Sequence, residues 1–161
     1  MRLCVLVLED EPAVREALVR DLEPLAGTVR VEPAEDVPDA EQVLEQLTDD
    51  GDPLALVLAD HRLPGTTGVE FLVRLRSNQQ HAACRKVLVT GQADQQDTIR
   101  AVNEAGLDRY IAKPWEPEEL LEVTREQLTG YVLDTGLDPL PHLPALDTAR
   151  VLPRLGRRGD R

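Results

Sequence analysis

Polar residues that could do chemistry stand at the ends of four short, largely apolar runs. Glu9 and Asp10 follow Leu3–Leu8 (LCVLVL) and Asp60 follows Leu54–Ala59 (LALVLA). Thr90 closes Lys86–Thr90 (KVLVT), and Lys113 comes directly after Arg109–Ala112. If these ends meet, three carboxylates share one small volume with a hydroxyl and an ammonium. Crowded carboxylates repel one another and raise each other's pKa unless a cation neutralises them. Hard oxygen donors in that number suit Mg²⁺, with Mn²⁺ as a substitute. A carboxylate beside such an ion is the equipment of phosphoryl transfer. It attacks in line, while metal and lysine spread the charge of the group in flight. Taken singly, each residue has a plainer use: acids after a strand cap helices, a threonine sits in a loop, a lysine is a solvated charge. Only joint placement turns them into a site.

The elements that would place them can be read from pattern. Leu3–Leu8 and Leu54–Ala59 are short continuous apolar runs, the mark of strands covered on both faces. Thr28–Ala34 is a weaker strand, and Lys86–Thr90 and Arg109–Ala112 complete five. Between them lie helical patterns. Pro12 opens the first, capped by Asp10 or Glu11, with Val14, Leu18, Leu22 and Leu25 on one face and Gly27 closing it. The second spans Asp36 to Asp50 before Gly51, with Pro38 at its start. The third carries Val69, Leu72, Val73 and Arg76 after a loop holding Pro64, Gly65 and Gly68. The fourth spans Asp94–Ala105, presents Thr98, Ile99 and Val102, and stops at Gly106. Pro117 opens the last, with Leu120, Leu121, Thr124 and Leu128 inward and Gly130 ending it. Strict alternation of strand and helix predicts an α/β domain, a five-stranded parallel sheet with helices on both faces. In such doubly wound sheets, sites form beyond the carboxyl ends of the strands, where the polar residues stand.

Composition narrows the function classes. The 161 residues are 42% hydrophobic but only 2% aromatic, so the core is built from aliphatic side chains. The net charge of −12 disfavours contact with phosphate backbones, so direct DNA binding is not expected. From Tyr131 onward, four acids (Asp134, Asp138, Asp147, Asp160) and five arginines (Arg150, Arg154, Arg157, Arg158, Arg161) give a net +1, which leaves −13 on residues 1–130. Cys4 and Cys84 sit in or beside apolar runs without CxxC spacing, as reduced, buried thiols of a cytoplasmic protein do. No run approaches the ~20 apolar residues of a membrane span, and the start does not resemble a signal peptide. Two regions are expected: a domain over 1–130, and a tail over 131–161 that Pro139, Pro141, Pro144 and Pro153 interrupt. The tail is a docked extension, a linker or a mobile end, and its arginines could meet the acidic body or a partner.

The stretches VLVLEDEP (5–12), LVLADHRLPGTTGVEFL (56–72), KVLVTG (86–91) and YIAKPWEPEEL (110–120) resemble the receiver domain of two-component response regulators, over about residues 3–129. The resemblance implies a (βα)5 flavodoxin-like fold and a phosphorylation-switched signalling domain rather than an enzyme with turnover. It makes Asp60 the phosphoacceptor and Asp10 a direct Mg²⁺ ligand. Glu9 assists through water, and the backbone carbonyl of Arg62 completes the protein ligands with Asp60. Thr90, followed by Gly91, becomes the switch hydroxyl. Lys113 becomes the partner of a phosphoryl oxygen, aimed by a cis bond to Pro114, and Tyr110 the aromatic that turns inward when Thr90 moves. The implied partners are a sensor histidine kinase or phosphotransfer protein, a downstream signalling protein and a second receiver in a homodimer. Glu9 stands where Asp is more usual, and Arg62 and Gln92 flank the route of an attacking water. Trp115 after Lys-Pro resembles receivers that work with other signalling enzymes; its plainer use is packing beneath the last helix. Two rival readings are weaker. A Mg²⁺-dependent phosphatase using an aspartyl phosphate needs an acid where Arg62 stands, and a phosphorylation-independent scaffold has no need of the acids, hydroxyl and lysine together.

Overall fold

The computed structural model describes residues 1–91 and 95–159, with all side chains of these except Gln95 and residues 156–159. Five parallel strands stand in the order β2-β1-β3-β4-β5: β1 (Cys4–Leu8), β2 (Arg30–Ala34), β3 (Leu54–Ala59), β4 (Arg85–Thr90) and β5 (Arg109–Ala112). The helices are α1 (Pro12–Asp21), α2 (Val37–Asp50), α3 (Gly68–Ser77), α4 (Gln95–Arg100), α5 (Pro117–Thr135) and α6 (Thr148–Gly159). This is the expected doubly wound, flavodoxin-like sheet, with added C-terminal helices.

The apolar runs explain the layers. Side chains alternate across a strand, so β1 supplies two cores at once. Val5 and Val7, with Leu3 before them, enter one core with Leu18 of α1, Leu22 just after it, and Leu120, Val123 and Leu128 of α5. Cys4, Leu6 and Leu8 enter the other core with Ala40, Leu44 and Leu47 of α2 and Phe71, Leu72 and Leu75 of α3. A strand buried on both faces has no polar side, which is why β1 and β3 read as unbroken apolar runs. β2 is an edge strand. The Arg30 amide donates to the Leu3 carbonyl, and the Ala34 carbonyl accepts from the Glu9 amide. Even-numbered residues of β2 therefore face β1, and Pro33 turns its missing N–H to the open edge, where a proline costs no ladder bond.

The helix starts differ in how they are capped. Asp36 caps α2 by accepting from the Asp39 amide, and Gly51 ends it at φ 74°. Glu11 occupies the cap position of α1 but its side chain makes no capping bond, so the expected acidic cap is absent there. α1 is also shorter than its pattern: it ends at Asp21, and Leu25 is buried from a 3₁₀ turn over Glu23–Leu25. The start predicted at Asp94 lies outside the described residues, as does Gln92. α4 passes into a π turn over Ala101–Ala105, where Gly106 closes it at φ 69°.

The largest departure is at α5, which does not end at Gly130 but continues to Thr135, with Gly136 at φ 71° after it. Gly130 is buried inside the helix, and a Cβ there would come within 3.1 Å of Cζ of Arg85. The chain then turns back through a 3₁₀ segment over Leu140–Ala145 into α6. Ala145, Leu146 and Val151 join the α1/α5 core beside Leu128 and Val132. Polar stitches complete the docking: Arg125 Nη1 donates to the Pro144 carbonyl at 2.6 Å, and the Asp147 amide donates to Thr129 Oγ1 at 2.8 Å. Thr129 is fully buried. A Thr129→Val variant keeps the volume but leaves the Asp147 amide unsatisfied, and should cost about 1–2 kcal/mol in urea unfolding. An unchanged midpoint would mean that the stitch contributes nothing.

Candidate functional site

The strand order reverses between β1 and β3, and the crevice beyond their carboxyl ends is where such sheets bind ligands. The Asp60 amide donates to the Leu8 carbonyl at 2.9 Å, so the chain leaves both strands side by side. This brings ligand atoms of Glu9, Asp10 and Asp60 within 4.8 Å of one another. Glu9 and Asp60 are buried and Asp10 half-buried. From the end of β5, Lys113 reaches in. Its Nζ hydrogen-bonds Glu9 Oε1 and lies 3.4 Å from Asp60 Oδ2. The Lys113–Pro114 bond is cis, as expected. The structure thus assembles four of the expected site residues at one end of the sheet.

Their electrostatics is strained by a shortage of positive charge. Burial pushes the Glu9 carboxyl above its ordinary range; the Lys113 hydrogen bond opposes this, and the charge of Asp60 adds to it. Burial also works against the Lys113 ammonium, but the Glu9 hydrogen bond and the charges of Asp60 and Glu9 prevail and hold its pKa above normal. One ammonium serves three carboxylates, and it does not hold Glu9 down. A hard divalent cation would supply the missing charge, and the all-oxygen donor set fits Mg²⁺.

Thr90 and Tyr110 form a second group. Thr90 is buried at the end of β4. Tyr110 is 38% exposed, and its hydroxyl donates to the Thr90 carbonyl at 2.8 Å. The ring therefore lies on the outside in this conformation. Gly91 is exposed beside Lys113, where a Cβ would meet the lysine Cβ at an ordinary 3.7 Å. The Arg62 side chain is exposed, two residues beyond Asp60. Trp115 packs against the α1/α5 core, and its Nε1 donates to Asp21 Oδ2 at 2.9 Å.

Supporting residues emerge that pattern reading passed over. Arg15 Nη1 donates to the carbonyls of Glu9 (2.9 Å) and Asp10 (3.3 Å) and so fixes the acidic turn from α1. Thr67 caps α3 by accepting from the Glu70 amide at 3.2 Å, which leaves Asp60 without that duty. Gly68 lies against Asp60 itself: a Cβ there would fall 1.9 Å from the Asp60 carbonyl oxygen. The signal for it was a glycine just ahead of an apolar helical face, which reads equally well as a loop residue.

The comparisons with known proteins point the same way. The model of the response regulator receiver domain matches residues 5–125. Among curated relatives, the hydrogenase transcriptional regulatory protein HoxA of Cupriavidus necator is 35% identical over 80% of this chain and 25% of its own length. The phosphate regulon transcriptional regulatory protein PhoB of Pseudomonas aeruginosa is 31% identical over 89% of this chain and 63% of its own. The chain therefore spans less than two thirds of the length of these relatives. Among solved structures, the signal receiver domain of an HD domain-containing protein from Pseudomonas fluorescens Pf-5 superposes with a TM-score of 0.71 at 28% identity, covering 84% of this chain and 93% of that one. A CheY-like response regulator receiver domain protein from Methanospirillum hungatei JF-1 also gives 0.71, at 27% identity over 83% and 99%. With the order 2-1-3-4-5 and acids at the ends of β1 and β3, the chain belongs to the response regulator receiver domain family, the signalling domains of two-component systems.

Proposed function

We propose that this chain accepts a phosphoryl group on Asp60 from a sensor histidine kinase, a phosphotransfer protein or a small phosphodonor, in a Mg²⁺-dependent reaction. The observation that carries this is the gathering of Glu9, Asp10, Asp60 and Lys113 at the carboxyl edge of β1, β3 and β5. Asp10, Asp60 and the Arg62 carbonyl would hold the ion, with Glu9 acting through water. When bound, the ion supplies charge neutralisation for the transferring group. An Asp60 carboxylate oxygen attacks phosphorus, the bond from phosphorus to the donor nitrogen or oxygen breaks, and the donor leaves with that electron pair. Lys113, already 3.4 Å from Asp60 Oδ2, takes up a phosphoryl oxygen.

The acyl phosphate brings roughly −1.5 to −2 charges and new acceptor oxygens. Thr90 answers it, and the bond from Tyr110 to the Thr90 carbonyl passes the motion to the ring, which turns inward. This is a shift between two populated states, limited by how differently they hold the phosphoryl group. The face that changes is α4–β5–α5. It exposes Ile99 at 51%, Val102 at 53% and Tyr110 at 38%, apolar surface suited to a downstream signalling protein or a second receiver. Outside phosphoryl gain and loss at Asp60, no turnover is proposed. Receiver (1–130) and extension (131–161) are divided by role, not by packing, since α5 crosses that boundary. A reducing cytoplasmic setting agrees with the free thiols: burial pushes Cys4 up to about 12 and Cys84 to about 11, far from reactive thiolates. Among the described residues no helix is long and apolar enough to cross a membrane.

The test is intact-mass analysis after acetyl phosphate, with Mg²⁺ and with EDTA. We expect one added phosphoryl group that requires the metal and vanishes in Asp60→Asn. If neither acetyl phosphate nor a phosphorylated kinase adds mass, the chain is a receiver-like scaffold.

A further inference from the structure

His61 comes directly after the phosphoacceptor, and its main chain is fixed from both sides. The His61 carbonyl accepts from the Gly68 amide at 3.0 Å and from the Leu63 amide at 3.1 Å. The start of α3 therefore grips the loop at this residue. The ring reaches the other way. Nε2 lies 3.1 Å from Asp97 Oδ2, on α4. Nδ1 is buried and has no hydrogen-bond partner among the described residues. Buried polar atoms are seldom left without a partner, and one that is calls for an explanation beyond packing.

α4 is an element with little burial of its own among the described residues. Of its described side chains none is fully buried: Asp97 and Thr98 are half-buried, while Gln96, Ile99 and Arg100 are exposed. A helix with so little burial opens locally at small cost. The π turn after it is anchored by Ala101 and Ala105, both fully buried. The buried anchors thus lie beyond the C-terminal end of α4, and the His61–Asp97 contact acts nearer its start, beside the phosphoacceptor loop.

We propose that His61 and Asp97 form a clasp that holds α4 in its resting position, and that the clasp gives the phosphorylated loop a mechanical route to α4 separate from Thr90 and Tyr110. The second half rests on Asp60 being the phosphoacceptor; the first does not. When the phosphoryl group arrives, Asp60 and the loop it begins must adjust. The ring is covalently part of that loop, so α4 is either drawn along or released. His61 acts here as a positioning residue, touching neither the phosphoryl group nor the ion.

The test is hydrogen exchange on the full chain, read by peptide mass, for His61→Ala, Asp97→Ala, the double variant and His61→Gln. In the unphosphorylated protein, both single alanine variants should speed exchange over 95–105 by about threefold or more. Peptides over β1 and β3 should be unchanged, which separates loss of the clasp from unfolding. The double variant should exchange no faster than the faster single, and His61→Gln, which keeps a donor, should recover part of the protection. After acetyl phosphate and Mg²⁺, intact mass should show the group on all variants, while the phosphorylation-dependent change over α4 shrinks in the alanine variants. Unchanged exchange in both single variants at rest would overturn the clasp, and so would fully additive effects. If the wild type takes up no phosphoryl group, the phosphoacceptor reading fails while the resting-state comparison still judges the clasp.

Discussion

Replacing Gly68 with alanine is expected to destabilise the chain by about 3 kcal/mol or more and to remove most phosphoryl acceptance at Asp60. The added Cβ would lie 1.9 Å from the Asp60 carbonyl oxygen, 2.8 Å from its carbonyl carbon and 3.2 Å from the His61 Cα. All three are backbone atoms, so no flexible side-chain end can yield. Either the start of α3 lifts away or the acceptor loop moves. Lifting α3 breaks the bond from the Gly68 amide to the His61 carbonyl and disturbs the Thr67 cap. It also drags on Val69, Phe71, Leu72 and Leu75, all buried in the α2/α3 core. Moving the loop displaces the Asp60 carboxylate, the nucleophile of the proposed transfer. Gly65→Ala is the informative control. Gly65 has φ +78° but nothing within 4 Å of its position, so its cost is conformational, about 1–2 kcal/mol, and Asp60 should still be phosphorylated. Urea unfolding and intact mass read both effects. A Gly68→Ala protein within the about ±0.5 kcal/mol of an ordinary surface change would show that the close approach relaxes without cost.

Gly68 also shows where reading the sequence stops. The ends of β1, β3 and β4 were legible because each closes a run that is apolar for a local reason, burial on both faces of a sheet, while β5 was legible as the short stretch before Lys113-Pro114 in the strand-helix alternation. Glu9, Asp10, Asp60 and Lys113 could therefore be placed together before any distance was known. Gly68 and Gly130 look alike in a sequence, as loop or helix-stop residues, yet each answers to a contact elsewhere. One makes room for the Asp60 carbonyl. The other makes room for the Arg85 guanidinium, 45 residues away in the chain. A glycine ends a helix when it adopts the left-handed conformation, as Gly136 does at φ 71°; Gly130 is no such case. The docking of the tail stayed one of three alternatives for a related reason. Its prolines break any period, and the anchoring residues Ala145, Leu146 and Val151 are too few and too irregularly spaced to announce a face. The His61–Asp97 contact links two loop-proximal polar residues with no shared pattern, and only the fold reveals it.

The second large effect is expected at Lys113. Truncation to alanine leaves Glu9, fully buried, beside Asp60 and Asp10 with no ammonium. Breaking a buried ion pair on one side costs about 3–5 kcal/mol; because the Lys113 side chain keeps 19% exposure, the lower end applies. The pH dependence gives this a signature. Glu9 is already held above its ordinary 4.5 by burial, against the pull of Lys113. Without Lys113 it rises further. A carboxyl whose pKa is raised in the folded state binds its proton more readily there than in the unfolded chain. Its contribution to stability is therefore present below the unfolded value and lost as pH rises through the folded one. The Lys113→Ala deficit should thus be largest at pH 7 and shrink as pH falls towards 4.5. Mg²⁺ should act in the same direction at fixed pH. With its competitor for the carboxylates gone, the cation should bind more tightly than to the wild type and raise the unfolding midpoint more per unit concentration. Phosphoryl acceptance should nonetheless fall, since the group on Asp60 loses the ammonium that answers it. Midpoints measured across pH, with and without Mg²⁺, separate these effects. A variant as stable as wild type at pH 7, with the same pH profile and the same response to Mg²⁺, would mean that Lys113 does not balance the carboxylates and that their crowding is relieved in another way.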